Sequence, residues 1–139
     1  MIGGVTGIAG CTAGTVSVTP PRPPGIVREA CAHLVDYLPT FLSGHRSRVV
    51  QPRSPLVHAW GSPPIVLRCG VPKPKGFDPA SPQVAQVNGV QWFQVVGAKA
   101  VTWTAIRKTA DVELVVPTSY QSQGPFLVVI GRSLTRSLP

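Results

Sequence analysis

Residues 83–96 read QVAQVNGVQWFQVV. Two runs rich in β-branched and aromatic side chains flank Asn88-Gly89. That pair suits a two-residue type I′ hairpin, because both central positions need positive φ. The spacing predicts strands over residues 84–87 and 90–96. An isolated hairpin is marginal in water, so this one needs further strands and a covering layer.

Both are legible on either side. Downstream, AVTWTAIRK (100–108) and DVELVVP (111–117) read as strands joined by a turn near Thr109 and Ala110. Alternation puts Val101, Trp103 and Ala105 on one face. PFLVVIGRSLTRSLP (125–139) reads as a helix with Pro125 in its first turn, where a missing N–H costs nothing. Phe126, Val129, Ile130, Leu134 and Leu138 form its apolar stripe, while Val128-Val129-Ile130 leaves a strand open for the first half.

Upstream, PIVLRCG (64–70) reads as a strand, LVHAWG (56–61) as one helical turn, and residues 48–51 as a short edge strand. In GIVREACAHLVDYLPTFLSG (25–44), Val27, Ala30, Cys31, Leu34, Val35 and Leu38 recur at three- and four-residue steps. That period predicts an amphipathic helix over 26–38, ended by Pro39. The sum is an α+β domain: an antiparallel meander with an N-terminal and a C-terminal helix packed on it.

A chain of 139 residues is the length of one domain, and its 16 prolines fix loops rather than long helices. We divide it into residues 1–25, a lipobox-like segment and Pro-rich tether, and residues 26–139, the folded domain. Ile8-Ala9-Gly10-Cys11 has the form at which a signal peptidase cleaves and the cysteine is acylated. No Lys or Arg precedes it, and its apolar run is shorter than the roughly 7–15 residues of a secretory core. The expectation is a leader that extends upstream, with Cys11 as the lipidation site.

The formal charge is +8, with a cluster at His45, Arg46, Arg48 and Arg53. Such a surplus favours anionic surfaces, but the first reading of it is a solvated basic face in a chain poor in Asp and Glu. Nucleic-acid recognition requires a reading motif, and no zinc-finger, RNP or KH pattern is present in the sequence.

Cys69 stands in an apolar strand. Metal binding fits poorly, since there is no CxxC and His33, His45 and His58 are not at zinc-site spacing. Nucleophilic attack fits poorly too, because burial raises a thiol's pKa even with His58 nearby in sequence. A buried free thiol and a bridge to Cys31 both remain open. The bridge would close a loop of nearly forty residues, worth about 4 kcal/mol, and needs an oxidising compartment. Arg68 faces opposite Cys69. It reads either as a surface arginine lying over the sheet or as an anion-binding residue beside Trp60 or Trp92. Asp111 and Glu113 share a strand face and read as solvated carboxylates. No residue stands out as catalytic, as a metal ligand or as a cofactor ligand.

AWGSPPIVLRCGVPKP (59–74) followed by VNGVQWF (87–93) resembles the DUF3515 proteins of actinobacteria, as do CAHLVDYLP (31–39) and VELVVPTSY (112–120). The likeness runs from about residue 30 to residue 138. It implies an exported or membrane-anchored protein with an N-terminal hydrophobic segment, and it favours Cys31 and Cys69 as the two family cysteines. It implies no activity, since the family is one of unknown function. The expectation is a non-enzymatic envelope module at the outer face of the cell membrane, binding an envelope protein or an anionic polymer. An envelope hydrolase or transferase with an unrecognised site, and a basic nucleic-acid-binding protein, are the alternatives.

Overall fold

The computed structural model describes residues 14–139. Cys11 and the lipobox-like stretch lie outside the described residues. In chain order the elements are β1 (Thr15–Ser17), α1 (Gly25–Leu34), β2 (Phe41–Leu42), β3 (His45–Gln51), β4 (Val57–Trp60) and β5 (Ile65–Val71). They continue with β6 (Val84–Val87), β7 (Val90–Val96), β8 (Ala100–Ala105), β9 (Asp111–Pro117) and α2 (Gly124–Ser137). A single 3-10 turn, Val35–Tyr37, extends α1.

The fold is α+β: an open, mostly antiparallel sheet with one helix near each end of the described chain. The order is β1-β3-β4-β5-β9-β8-β7-β6, with β2 on β3. Two meanders, β3-β4-β5 and β6-β7-β8-β9, are thus joined by the β5–β9 pair at the centre. The predicted hairpin forms at the expected residues, with Asn88 at φ 48° and Gly89 at φ 83°.

Register sorts the side chains. The row Cys69–Val112–Ala105–Trp92 crosses the sheet on the face that α1 reaches through Cys31. Leu34, Phe126, Ile130 and Leu134 join it to make the main core. The row Val57–Arg68–Glu113–Thr104–Phe93 lies on the other face. There Phe77, from the loop after β5, meets Phe93 edge-on at 5.6 Å. The helices are tied to each other where the buried Ser133 hydroxyl donates to the Tyr37 carbonyl at 2.7 Å.

Two expectations are corrected. Residues 56–61 contain strand β4, not a helical turn. Val57, Ala59 and Trp60 are all buried, so both faces are covered and no alternation is visible in the sequence. Residues 48–51 are not an edge, because β1 pairs in parallel with Val49–Gln51. The last helix forms as expected, its first half included despite the β-branched run, because Phe126, Leu127, Ile130 and Leu134 bury one helical stripe. Within the segment expected to be a tether, the three residues Thr15–Ser17 pair with the sheet, and Val16 is buried against Val50.

Candidate functional site

Cys31 and Cys69 form a disulfide that joins α1 to β5, with 5.7 Å between their Cα atoms. Both residues are at most 1% exposed. Cys69 therefore has no thiol with which to attack a substrate or hold a metal. His58, its sequence neighbour, sits on β4 beside Leu67. Burial pushes the His58 imidazole below its ordinary pKa, partly offset by a hydrogen bond with the Pro55 backbone. Its Nε2 is buried with no partner among the described residues.

The chain bulges directly after Cys69. The β5–β9 register shifts between Cys69 and Val71, and Gly70 takes φ +93°. A Cβ on Gly70 would lie 2.8 Å from Pro23 Cγ. Glycine is needed here for two reasons: the left-handed backbone and the proline resting on it. Pro23 belongs to the strap of residues 18–24 that leads from β1 into α1. Arg68 holds the strap's start, its Nη1 donating to the Thr19 carbonyl at 3.3 Å.

Strap, bulge and the β8–β9 connection enclose a cleft of about 470 Å³. Its floor is Gly70, Val71 and Val27, and prolines form much of one wall. The opposite wall is the segment 107–111, folded around Asp111. That carboxylate is 8% exposed and accepts the Arg107 backbone N–H at 3.0 Å and the Lys73 ammonium at 3.1 Å. Arg107 also donates through Nη2 to the Leu138 carbonyl at 2.6 Å, while its Nε is buried without a partner among the described residues.

The cleft is strongly cationic. Arg22, Arg68, Lys73, Arg107 and Lys108 line it against the single carboxylate of Asp111. Arg68 is neutralised by Glu113 through two contacts, Nε at 2.8 Å and Nη2 at 3.3 Å. That hydrogen bonding raises the Arg68 pKa further, so it is charged at every pH of interest. Lys73 is matched by Asp111. Arg22, Arg107 and Lys108 have no carboxylate partner among the described residues.

The structure thus puts Arg68 in the cleft wall but away from the indoles. Trp60 is buried and donates from Nε1 to the Pro39 carbonyl at 2.9 Å, and Trp92 is wholly buried. The carboxylates of Asp111 and Glu113, expected to be solvated, are each in an ion pair. The basic cluster of β3 disperses: His45 packs edge-on against Tyr120 at 5.0 Å, Arg46 lies over the Phe41 ring, and Arg48 donates to the Gly61 carbonyl. Arg22, Lys73, Arg107 and Lys108 were not singled out by the sequence, because they lie on separate loops that only the folded sheet brings together. No group of three or more His, Cys, Asp or Glu converges as a metal site among the described residues.

No described helix is long and apolar enough to cross a membrane. No curated protein and no solved structure matches the chain. The family model of DUF3515, described as a protein of unknown function, matches residues 1–139. The strand bearing Arg68, Cys69 and Gly70 and the Asn88-Gly89 hairpin, on which the sequence likeness rested, here form the disulfide, the cleft floor and the sheet's outer turn; with the family model spanning the whole chain, this protein belongs to the DUF3515 family.

Proposed function

We propose that this is an exported binding domain, held at the outer face of the cell membrane, which engages an anionic group of an envelope protein or polymer and performs no chemistry of its own. The observation that carries this reading is the buried Cys31–Cys69 disulfide. Bridges of this kind persist in oxidising compartments and are rare where thiols are kept reduced. The cationic cleft supports the binding part, since low-dielectric walls concentrate its field on an approaching anion.

The parallel pairing of β1 sharpens the tether. Cys11 stands four residues before Thr15, where the sheet begins. A lipid on Cys11 would hold β1 within about 14 Å of the membrane even with the intervening chain fully extended. The domain would then lie against the membrane surface instead of on a long stalk. Labelling intact host cells with a membrane-impermeant amine reagent tests the location. Exposed Lys99 and Lys108 should be modified in whole cells. Labelling only after lysis would overturn the reading.

A further inference from the structure

We infer that the cleft beneath the 18–24 strap is a binding site for a small amphipathic anion: a phosphate or carboxylate head carried on a short apolar body. This rests on reading the domain as a binding module, and it is independent of whether the protein is exported.

The shape comes first. A volume of about 470 Å³ falls within the range of small-molecule sites, roughly 300–1,000 Å³. The cleft is built from parts that cannot drift apart. The disulfide fixes its floor, Pro23 is seated on Gly70, and Asp111 holds the far wall by accepting from both Arg107 and Lys73. A preorganised cavity loses little on binding, so modest contacts suffice for affinity.

The chemistry comes second. The apolar lining of Pro21, Pro23, Pro24, Val27, Val71 and Pro72 presents carbon to a ligand on one side. On the other, Arg22, Arg107 and Lys108 carry positive charge that no carboxylate among the described residues answers. Arg107 is the least exposed of them, half-buried in the cleft wall with its Nη2 donating to the Leu138 carbonyl. The native carboxylates do not neutralise these three, since Asp111 is held by Lys73 and Glu113 by Arg68. An inorganic anion alone would use the cations and leave the proline wall wet. An uncharged apolar ligand would cover the wall and leave the cations unpaired. A ligand with both parts satisfies both sides.

The test uses three probes on the folded, oxidised domain: octyl phosphate below its micellar concentration, inorganic phosphate, and octyl glucoside. Binding is followed by backbone amide shifts. Octyl phosphate should perturb Arg22, Gly70 and Lys108–Asp111 together, saturate at one site, and weaken as salt is raised. Inorganic phosphate should shift the same amides with lower affinity. Arg22→Ala and Lys108→Ala, both at exposed positions, should each weaken octyl phosphate by about threefold, and together by about tenfold. Lys99→Ala, at the opposite end of β8, should leave binding unchanged. Equal binding of octyl phosphate and octyl glucoside would overturn the inference. So would shifts scattered over the surface, or affinity indifferent to the Arg22/Lys108 double variant. Affinity of inorganic phosphate equal to that of octyl phosphate would overturn the amphipathic assignment. Failure of binding in a protein that intact-cell labelling finds outside the membrane would remove the site and leave the exported location standing.

Discussion

Removing the Cys31–Cys69 bridge should lower stability by about 4 kcal/mol. The sequence separation is 38 residues. Closing a loop of that length in the unfolded chain removes about 13 cal/mol/K of entropy, or about 3.9 kcal/mol at 25 °C. Domains of this size unfold with an entropy near 2.1 cal/mol/K per residue, so 1 kcal/mol corresponds to about 3.4 °C and the whole effect to about 14 °C in Tm. The assay is calorimetric unfolding of the oxidised domain against Cys31→Ala, Cys69→Ala and the double variant. The bridge is one interaction, so each single variant should lose nearly as much as the double. Cys31 and Cys69 are fully packed, and truncation adds a smaller cavity cost on top. A double variant that melts within about 4 °C of the native protein would refute the loop-entropy reasoning.

Three further outcomes follow from the geometry. Gly70→Ala places a methyl group 2.8 Å from Pro23 in a left-handed backbone; it should destabilise by about 1–2 kcal/mol and loosen the strap, seen as faster amide hydrogen exchange at Val18, whose N–H donates to the Gln51 carbonyl. Unchanged exchange would mean that the strap does not depend on this seat. Glu113→Gln leaves Arg68 without its carboxylate; since the Arg68 side chain is 30% exposed, solvent screening limits the loss to about 1 kcal/mol in urea unfolding. A loss above about 3 kcal/mol would mean the pair behaves as fully buried. His58 is depressed below its ordinary value of 6.5 by burial, so the folded state resists its protonation. The His58 contribution should therefore be fully present above pH 6.5 and lost as pH falls from there through the depressed folded value, with a slope of at most about 1.4 kcal/mol per pH unit. His58→Asn should flatten that segment of the stability profile, and a profile the same in both proteins would assign the slope to other groups.

Much of the sheet was legible because its information is local. Asn88-Gly89 allows one turn geometry, and the runs on either side alternate, so β6 and β7 follow from the sequence alone. β9 was equally plain over Asp111–Pro117. β4 was not, because a strand with both faces buried loses the alternation that marks it, and Val57–Trp60 carries no other period. β1 was hidden for another reason. Three residues in a Gly-, Thr- and Pro-rich stretch have no pattern, and their pairing with Val49–Gln51 is a long-range parallel contact. The cleft was illegible as a whole. Arg22 precedes α1, Lys73 follows β5, and Arg107 and Lys108 link β8 to β9; only the β5–β9 pairing and the bulge at Gly70 bring them to one place. Arg68 was visible as a charge in an apolar strand, but its partner Glu113 lies 45 residues away. Sequence could show the charge and not its neutralisation.

Where the protein lives is tested most directly by the intact mass of protein taken from its native host's membrane fraction, with thiols alkylated before and after reduction. The predicted result is an N-terminus at Cys11 carrying acyl mass, with Cys31 and Cys69 alkylated only after reduction. An unmodified Met1 with all three cysteines alkylated without reduction would contradict it.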